Sequence, residues 1–331
     1  MILSQSEAAN EYKIVRGDKH LAVVRDALAK NLDVYFDRWL DGLGAQGLAT
    51  TLSTSFSVSM DKKVIRGRSL RGALDSAVAS YQTQAAIYRT FFESDALDEY
   101  RGGHEAAFKN DLIREVPILR GTWNSPSPEL NDWKIKFRQK DAKELLTMFE
   151  NLVDFASDWR STRGAGVLDA ASGPETIGFD KVDDDPTLYI VGVVGVGIKS
   201  AVLHHIDPAC FPRRDRAAMY ALLFLSGKQD LGMPTRTSEF VMVVDKKLGG
   251  WDGGDRNHRM EHNFWYPYGV FTLHCMQVWR HLQKRAAELA VTIDPAHRFV
   301  AVSAFLDGVR DLHKDDVRTM LGHDERQGGF P

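Results

Sequence analysis

Two residues stand out by type and setting as able to do chemistry. One is the amine of Lys199 in Gly195-Val196-Gly197-Ile198-Lys199-Ser200-Ala201, the other the carboxylate of Asp215 in Phe211-Pro212-Arg213-Arg214-Asp215-Arg216. A lysine attacks an electrophilic carbon once its pKa is depressed, and burial beside Arg213 and Arg214 would depress it. The alternative is that Lys199 keeps its charge and clamps an anion, or is simply solvated. A carboxylate such as Asp215 can take up a proton, orient an ammonium or steady a cation. Gly195 and Gly197 flank a single valine, which predicts a tight hairpin with φ > 0, and the residues from Lys199 onward read as the first turns of a helix. The free N–H groups at such a helix start make a seat for phosphate. Three arginines around one carboxylate, Arg213, Arg214 and Arg216, read as a cradle for a polyanion.

Other groupings carry weaker chemistry. His258-Arg259-Met260-Glu261-His262 has the His-x-x-Glu-His order, and on a helix its two histidines would share a face as zinc requires. No third ligand is evident and glycines precede it, so no metal is expected. The stretch from Gly249 to Tyr268 reads more simply as a base-stacking or substrate wall formed by Trp265, Tyr266, Tyr268, His258 and His262; the competing reading anchors these aromatics in the core. Lys62, Lys63, Arg66, Arg68 and Arg71, interrupted by Gly67 and Gly72, predict a glycine-loosened basic loop that either tracks a DNA backbone or is merely solvated. Asp180, Asp183, Asp184 and Asp185 have a spacing that could invite a cation, but without a calcium loop's glycine and distal glutamate they read mainly as helix caps and solvated loop. The glycines from Gly192 to Gly197 have the wrong spacing for a dinucleotide fingerprint.

The elements that must hold these residues are helical. Leu21, Val24, Leu28, Leu32, Tyr35 and Trp39 recur at three- and four-residue intervals until Gly42 and Gly44, and Ala49 to Val58 reads as loop or short strand. Leu74 to Phe92, Phe108 to Leu119, and Leu145, Phe149, Leu152, Ala156 and Trp159 repeat the helical spacing. Trp123 to Pro128 breaks the run and divides an N-terminal helical region, 1–128, from a second region, 129–331, unless the two lobes pack as one unit. Thr187 to Val191 reads as the first helix of a pair around the glycine hairpin. Ala217 to Leu225 is apolar all round, as a buried helix would be, and Glu239 to Val244 fits a strand or a short buried helix turn. Two helices, marked by Phe271 to Leu289 and Phe299 to Leu312, close an all-α chain with room for one small β element.

With 331 residues, 44% apolar and 26% charged, the chain is of ordinary globular composition. No apolar run is long enough to span a bilayer and the N-terminus lacks a leader pattern, so a cytoplasmic protein without a membrane partner is expected. Cys210 and Cys275 alone make neither a disulfide framework nor a zinc site. A net charge of −3 does not decide for or against nucleic acid, because local charge matters.

Gly195-Val196-Gly197-x-Lys199-Ser200-Ala201 followed by Asp215 resembles the helix-hairpin-helix of the base-excision DNA glycosylases. That resemblance implies a two-lobed helical fold, double-stranded DNA as partner, a flipped base, Lys199 and Asp215 as catalytic residues, and no cofactor beyond a monovalent cation in the hairpin. The arginines around Asp215 point to a sister branch, the phage amino acid:DNA transferases or α-glutamyl/putrescinyl-thymine pyrophosphorylases. For that branch the resemblance implies phage origin and action in the host cytoplasm. It also implies transfer of a small amine or amino acid onto pyrophosphorylated 5-hydroxymethyluracil, with pyrophosphate held by Gly195, Gly197, Arg213, Arg214 and Arg216, and Lys199 acting as a clamp. Base excision, or DNA binding without catalysis, remain the alternatives.

Overall fold

Apolar residues spaced to share one helix face lay down most of the architecture, because each helix must bury that face against another. The computed structural model of the chain describes residues 5–51, 62–234, 238–245 and 258–321. Helices α1 (Gln5–Arg16), α2 (Asp18–Thr51) and α3 (Lys62–Phe92) open it, followed by α4 (Ser94–Glu99), α5 (Glu105–Glu115), α6 (Pro117–Asn124), α7 (Asn131–Gln139) and α8 (Ala142–Thr162). Three short helices, α9 (Gly166–Ala170), α10 (Pro174–Ile177) and α11 (Asp180–Asp184), lead to α12 (Val196–Ile206) and α13 (Arg216–Leu225). After an antiparallel pair, β1 (Val241–Asp245) and β2 (His258–His262), come α14 (Tyr268–Glu288), α15 (Arg298–Leu312) and α16 (Lys314–Leu321). The fold is all-α with one small sheet, in which Val241 lies opposite His262 and Asp245 opposite His258.

One continuous apolar cluster reaches from Val15 to Leu321. Helix α13 is buried along nearly its whole length against α15 and α2, and α12 packs on α3 and α8. The site segment is thereby gripped from both ends of the chain. No helix among the described residues is long and apolar enough to cross a membrane. Both cysteines are free and buried.

Several expectations are corrected. Helix α2 runs through Gly42 and Gly44 to Thr51, since a glycine weakens a helix by about 1 kcal/mol without having to end it. Ala49 to Thr51 therefore close a helix, and 52–58 lie outside the described residues. The basic cluster is the first turns of α3 and not a loop. Gly67 loosens nothing there: a Cβ on it would sit 2.8 Å from the Leu289 carbonyl oxygen, so it permits a close helix approach. Thr187 to Val191 is not an α-helix; a single 3₁₀ turn, Pro186–Leu188, precedes the hairpin.

Candidate functional site

The hairpin forms three residues earlier than the glycine spacing suggests. Ile190 and Val194 bridge, and the residue with positive φ is Gly192, at +73°. Gly195 is extended, with φ −102° and ψ −177°, and caps α12, while Gly197 already belongs to the helix. These two glycines allow close approach and helix entry; neither makes the turn. The Ile190 carbonyl accepts the Val193 and Val194 N–H groups, and the Trp133 indole donates to the Val193 carbonyl at 2.8 Å. Val191, 81% exposed, stands at the tip. The N–H groups of Val196 and Gly197 have no protein acceptor among the described residues, as is usual for the first donors of a helix.

One turn into α12, Lys199 is enclosed, at 1% exposure. Its ammonium donates to the Val182 carbonyl and lies 5.8 Å from the centre of the Tyr189 ring. Burial pulls its pKa down to about 8, against the attraction of Asp183, and Arg214 adds to the lowering. Asp183, partly buried on α11, accepts the Tyr268 N–H at 2.8 Å, and burial lifts its carboxyl to about 7. Arg214, 2% exposed, donates to the Asn263 carbonyl at 2.5 Å; burial lowers its guanidinium to about 10, still charged at neutral pH. The carboxylate that shares the field of Lys199 and Arg214 is thus Asp183, and not Asp215.

Asp215 serves the next helix. Its side chain accepts the Ala218 N–H at 2.9 Å as the cap of α13, and Arg213 pairs with it at 2.7 Å. The same guanidinium reaches Asp307 at 3.0 Å, whose carboxyl is raised by burial and then by the nearby Asp215 charge, against Arg213. Ser200 joins the two halves of the site: its hydroxyl accepts the Arg214 N–H at 3.0 Å and lies 3.2 Å from the Arg214 carbonyl. Arg216 is bidentate on Glu261, at 3.0 and 3.1 Å. Burial opposes the charge on Glu261, yet His262 and Arg216 outweigh it and hold the carboxyl below its usual range. The three arginines therefore do not form one open cradle; each has its own protein partner, and only Arg213 and Arg216 keep exposed surface on the guanidinium side chain.

The aromatic wall is also revised. Tyr266 and Tyr268 are core residues: Tyr266 bonds Glu239 and His274, each at 2.8 Å, and Tyr268 donates to the Pro212 carbonyl at 2.7 Å and stacks on Phe179. Each ring has a polar tip with an internal partner, as burial requires. Trp265 is 62% exposed and its neighbour Phe264 44%. His258 and His262 lie on β2, not on a helix, and 249–257 lie outside the described residues. Burial lowers His262, against the attraction of Glu261. In the basic stretch, Arg66 pairs with Asp37 at 2.5 Å and Arg71 reaches the Ala290 carbonyl at 3.3 Å, while Lys62, Lys63 and Arg68 lie on the exposed side of α3.

Sequence reasoning takes Asp183 only as one of four acids in a helix-capping, solvated stretch, and passes over Asp307 and Asn263. Asp183 had a faint signal, an acidic residue in the helix just before the hairpin; Asp307 and Asn263 had none, since only tertiary packing brings them in. No group of three or more metal-ligating side chains gathers among the described residues. No family model, curated protein or solved structure matches the chain.

Proposed function

We propose that the chain is a DNA-base-modifying transferase on a helix-hairpin-helix scaffold. In this reading it flips a pyrophosphorylated 5-hydroxymethyluracil and lets an amine or amino acid displace pyrophosphate from the 5-methylene carbon. The observation that carries this over base excision with lyase chemistry is the enclosure of Lys199. An ammonium 1% exposed, held on a backbone carbonyl beside a tyrosine ring, suits a buried clamp better than a nucleophile that must reach a sugar C1′. The unpartnered N–H groups of Val196 and Gly197 suit a DNA phosphate, with Lys62, Lys63, Arg68 and Arg71 as further backbone contacts. Asp215 orients the incoming ammonium, Arg213 and Arg216 face the leaving pyrophosphate, and the exposed Trp265 stacks on a base. Arg214 supports the site from below. The base must leave the helical stack for either chemistry.

One observation favours excision as the second reading. A lysine lowered to about 8 is the kind of amine that becomes a nucleophile once exposed. Duplex DNA carrying the pyrophosphorylated base, incubated with the protein and candidate amines, separates the two. Transfer releases pyrophosphate and adds the amine's mass to the base; excision yields abasic sites and a borohydride-trapped adduct. Asp215→Asn is expected to abolish transfer, with Lys199→Ala milder. Trapping that vanishes in Lys199→Ala, without any mass gain on the base, overturns the transferase reading. Binding without covalent change would leave a DNA-binding module.

A further inference from the structure

Between β2 and α14 two large aromatic side chains, Phe264 and Trp265, stand exposed on a turn. A side chain on a turn keeps its place only if the backbone beneath it does. Asn263, which opens this turn, is buried and has each of its polar groups engaged. Its N–H donates to the Phe240 carbonyl and its Nδ2 to the Glu239 carbonyl, both at 2.9 Å, so it is tied twice to the residues that enter β1. Its Oδ1 accepts the Trp265 N–H at 2.9 Å, and its own carbonyl accepts the Arg214 guanidinium at 2.5 Å. One residue thus joins the aromatic turn to the sheet and to the segment between α12 and α13. Glu239 is fixed in its turn. Its carboxylate lies 2.6 Å from His20 Nε2 of α2 and accepts the Tyr266 hydroxyl at 2.8 Å, and that hydroxyl meets His274 of α14 at 2.8 Å.

We propose that Asn263 is the positioning residue for Trp265, holding the backbone from which the indole projects so that it meets a base already in place. Arg214 takes part through it. At 2% exposure that guanidinium cannot reach a nucleic acid itself, and its contact with the Asn263 carbonyl carries its hold from the hairpin side of the site to the turn. A space-filling residue at 263 would leave the Trp265 N–H and the Glu239 carbonyl without these partners. The rings add a lateral stop: Phe264 meets His262 edge-on at 5.8 Å and the Trp265 ring at 6.1 Å. Stacking on a base returns more of its free energy when the stacking residue has little disorder to lose, which is what a turn tied at four points provides. Asn263 touches no base in this account; it acts through Trp265. The inference rests on the reading of Trp265 as the residue that stacks on the DNA base.

A double-mutant cycle on the full chain tests this, with affinity for a duplex carrying the pyrophosphorylated base as the readout. Trp265→Ala is expected to weaken binding by about tenfold or more, the loss of one base stack. Asn263→Ala is expected to weaken it by about fivefold or more, and the double variant to bind no worse than Trp265→Ala alone, because Asn263 has nothing left to position. A residue that merely held the fold together would add its loss to that of Trp265, so additive losses overturn the proposal, as does an Asn263→Ala protein that binds like the native one. Should Asn263→Ala fail to fold, nitrogen relaxation of the native chain without DNA decides. The Trp265 amide is expected to show an order parameter of about 0.85, as a helix does, and a value below about 0.6 refutes the positioning. A rigid Trp265 amide in a chain that binds no duplex would sink the functional reading and leave the hold of Asn263 on the turn standing.

Discussion

Ser200 carries more of the site than its size suggests. Its hydroxyl receives the buried Arg214 N–H and lies against the Gly197 and Arg214 carbonyls, so one oxygen joins the first turn of α12 to the segment before α13. Replacing it with alanine leaves that N–H without an acceptor, a loss expected to cost about 1–3 kcal/mol. A urea midpoint for Ser200→Ala equal to that of the native chain would show that the junction is held by other contacts. At this scale the sequence discloses residue types and hides their assignments. The lowered pKa of the Lys199 amine is legible in its glycine-bounded, apolar setting, although of the two arginines expected beside it only Arg214 contributes. Asp183 is not, because it sits in a run of acids; only the docking of α11 against α14 separates it from the exposed Asp184. Tyr266 and Tyr268 look like stacking residues in a glycine-rich context until their hydroxyls are seen to reach Glu239 and Pro212.

Helix crossings place glycines that the sequence presents like turn glycines. Gly308 of α15 lies so close to Trp39 of α2 that a Cβ would come within 2.3 Å of the indole Cδ1, whereas Gly42 of α2 faces open space. Alanine at these two positions is therefore expected to act with opposite sign. Gly308→Ala should lose about 1–3 kcal/mol to overpacking. Gly42→Ala should gain up to about 1 kcal/mol from helix propensity. Thermal unfolding of the two variants checks both, and a Gly308→Ala protein that melts with the native one would mean the α2–α15 crossing gives way easily. Element type and approximate span were legible from apolar spacing, as the match of Leu145, Phe149, Leu152, Ala156 and Trp159 to the buried side of α8 shows. Glycine used for close packing resembles glycine used for a turn, and sequence alone does not tell Gly67 from Gly192. The glycine pair at the start of α12 therefore suggests a hairpin three residues beyond the actual turn at Gly192.

The molecule as a whole should be sensitive to acid. His204, His205 and His274 are buried with their pKa values depressed first by burial, His205 to about 4 and His274 to about 3. A ring kept neutral in the fold but charging near 6.5 when unfolded contributes stability above that pH. The contribution is lost as pH falls from 6.5 toward the lower folded value. For His205 alone the loss is on the order of 3 kcal/mol. Asp183 works the other way, since its raised carboxyl holds a proton that the unfolded chain sheds between 3.8 and about 7. These three rings, with the lowered His262 and His281 acting in the same direction, outweigh the raised carboxyls of Asp183 and Asp307, so urea midpoints should drop between neutral pH and about pH 4.5. Equal midpoints at the two conditions would mean that the imidazoles charge freely inside the native protein.

Trp133 stapled to the Val193 carbonyl, with the Lys136 chain lying over Gly192, has a consequence for how a ligand is met. A loop bound at both edges has little freedom left to surrender, so any nucleic acid seated there is greeted by a surface already in its final shape. Association should then be set by diffusion and salt, with no slow ordering phase in the approach.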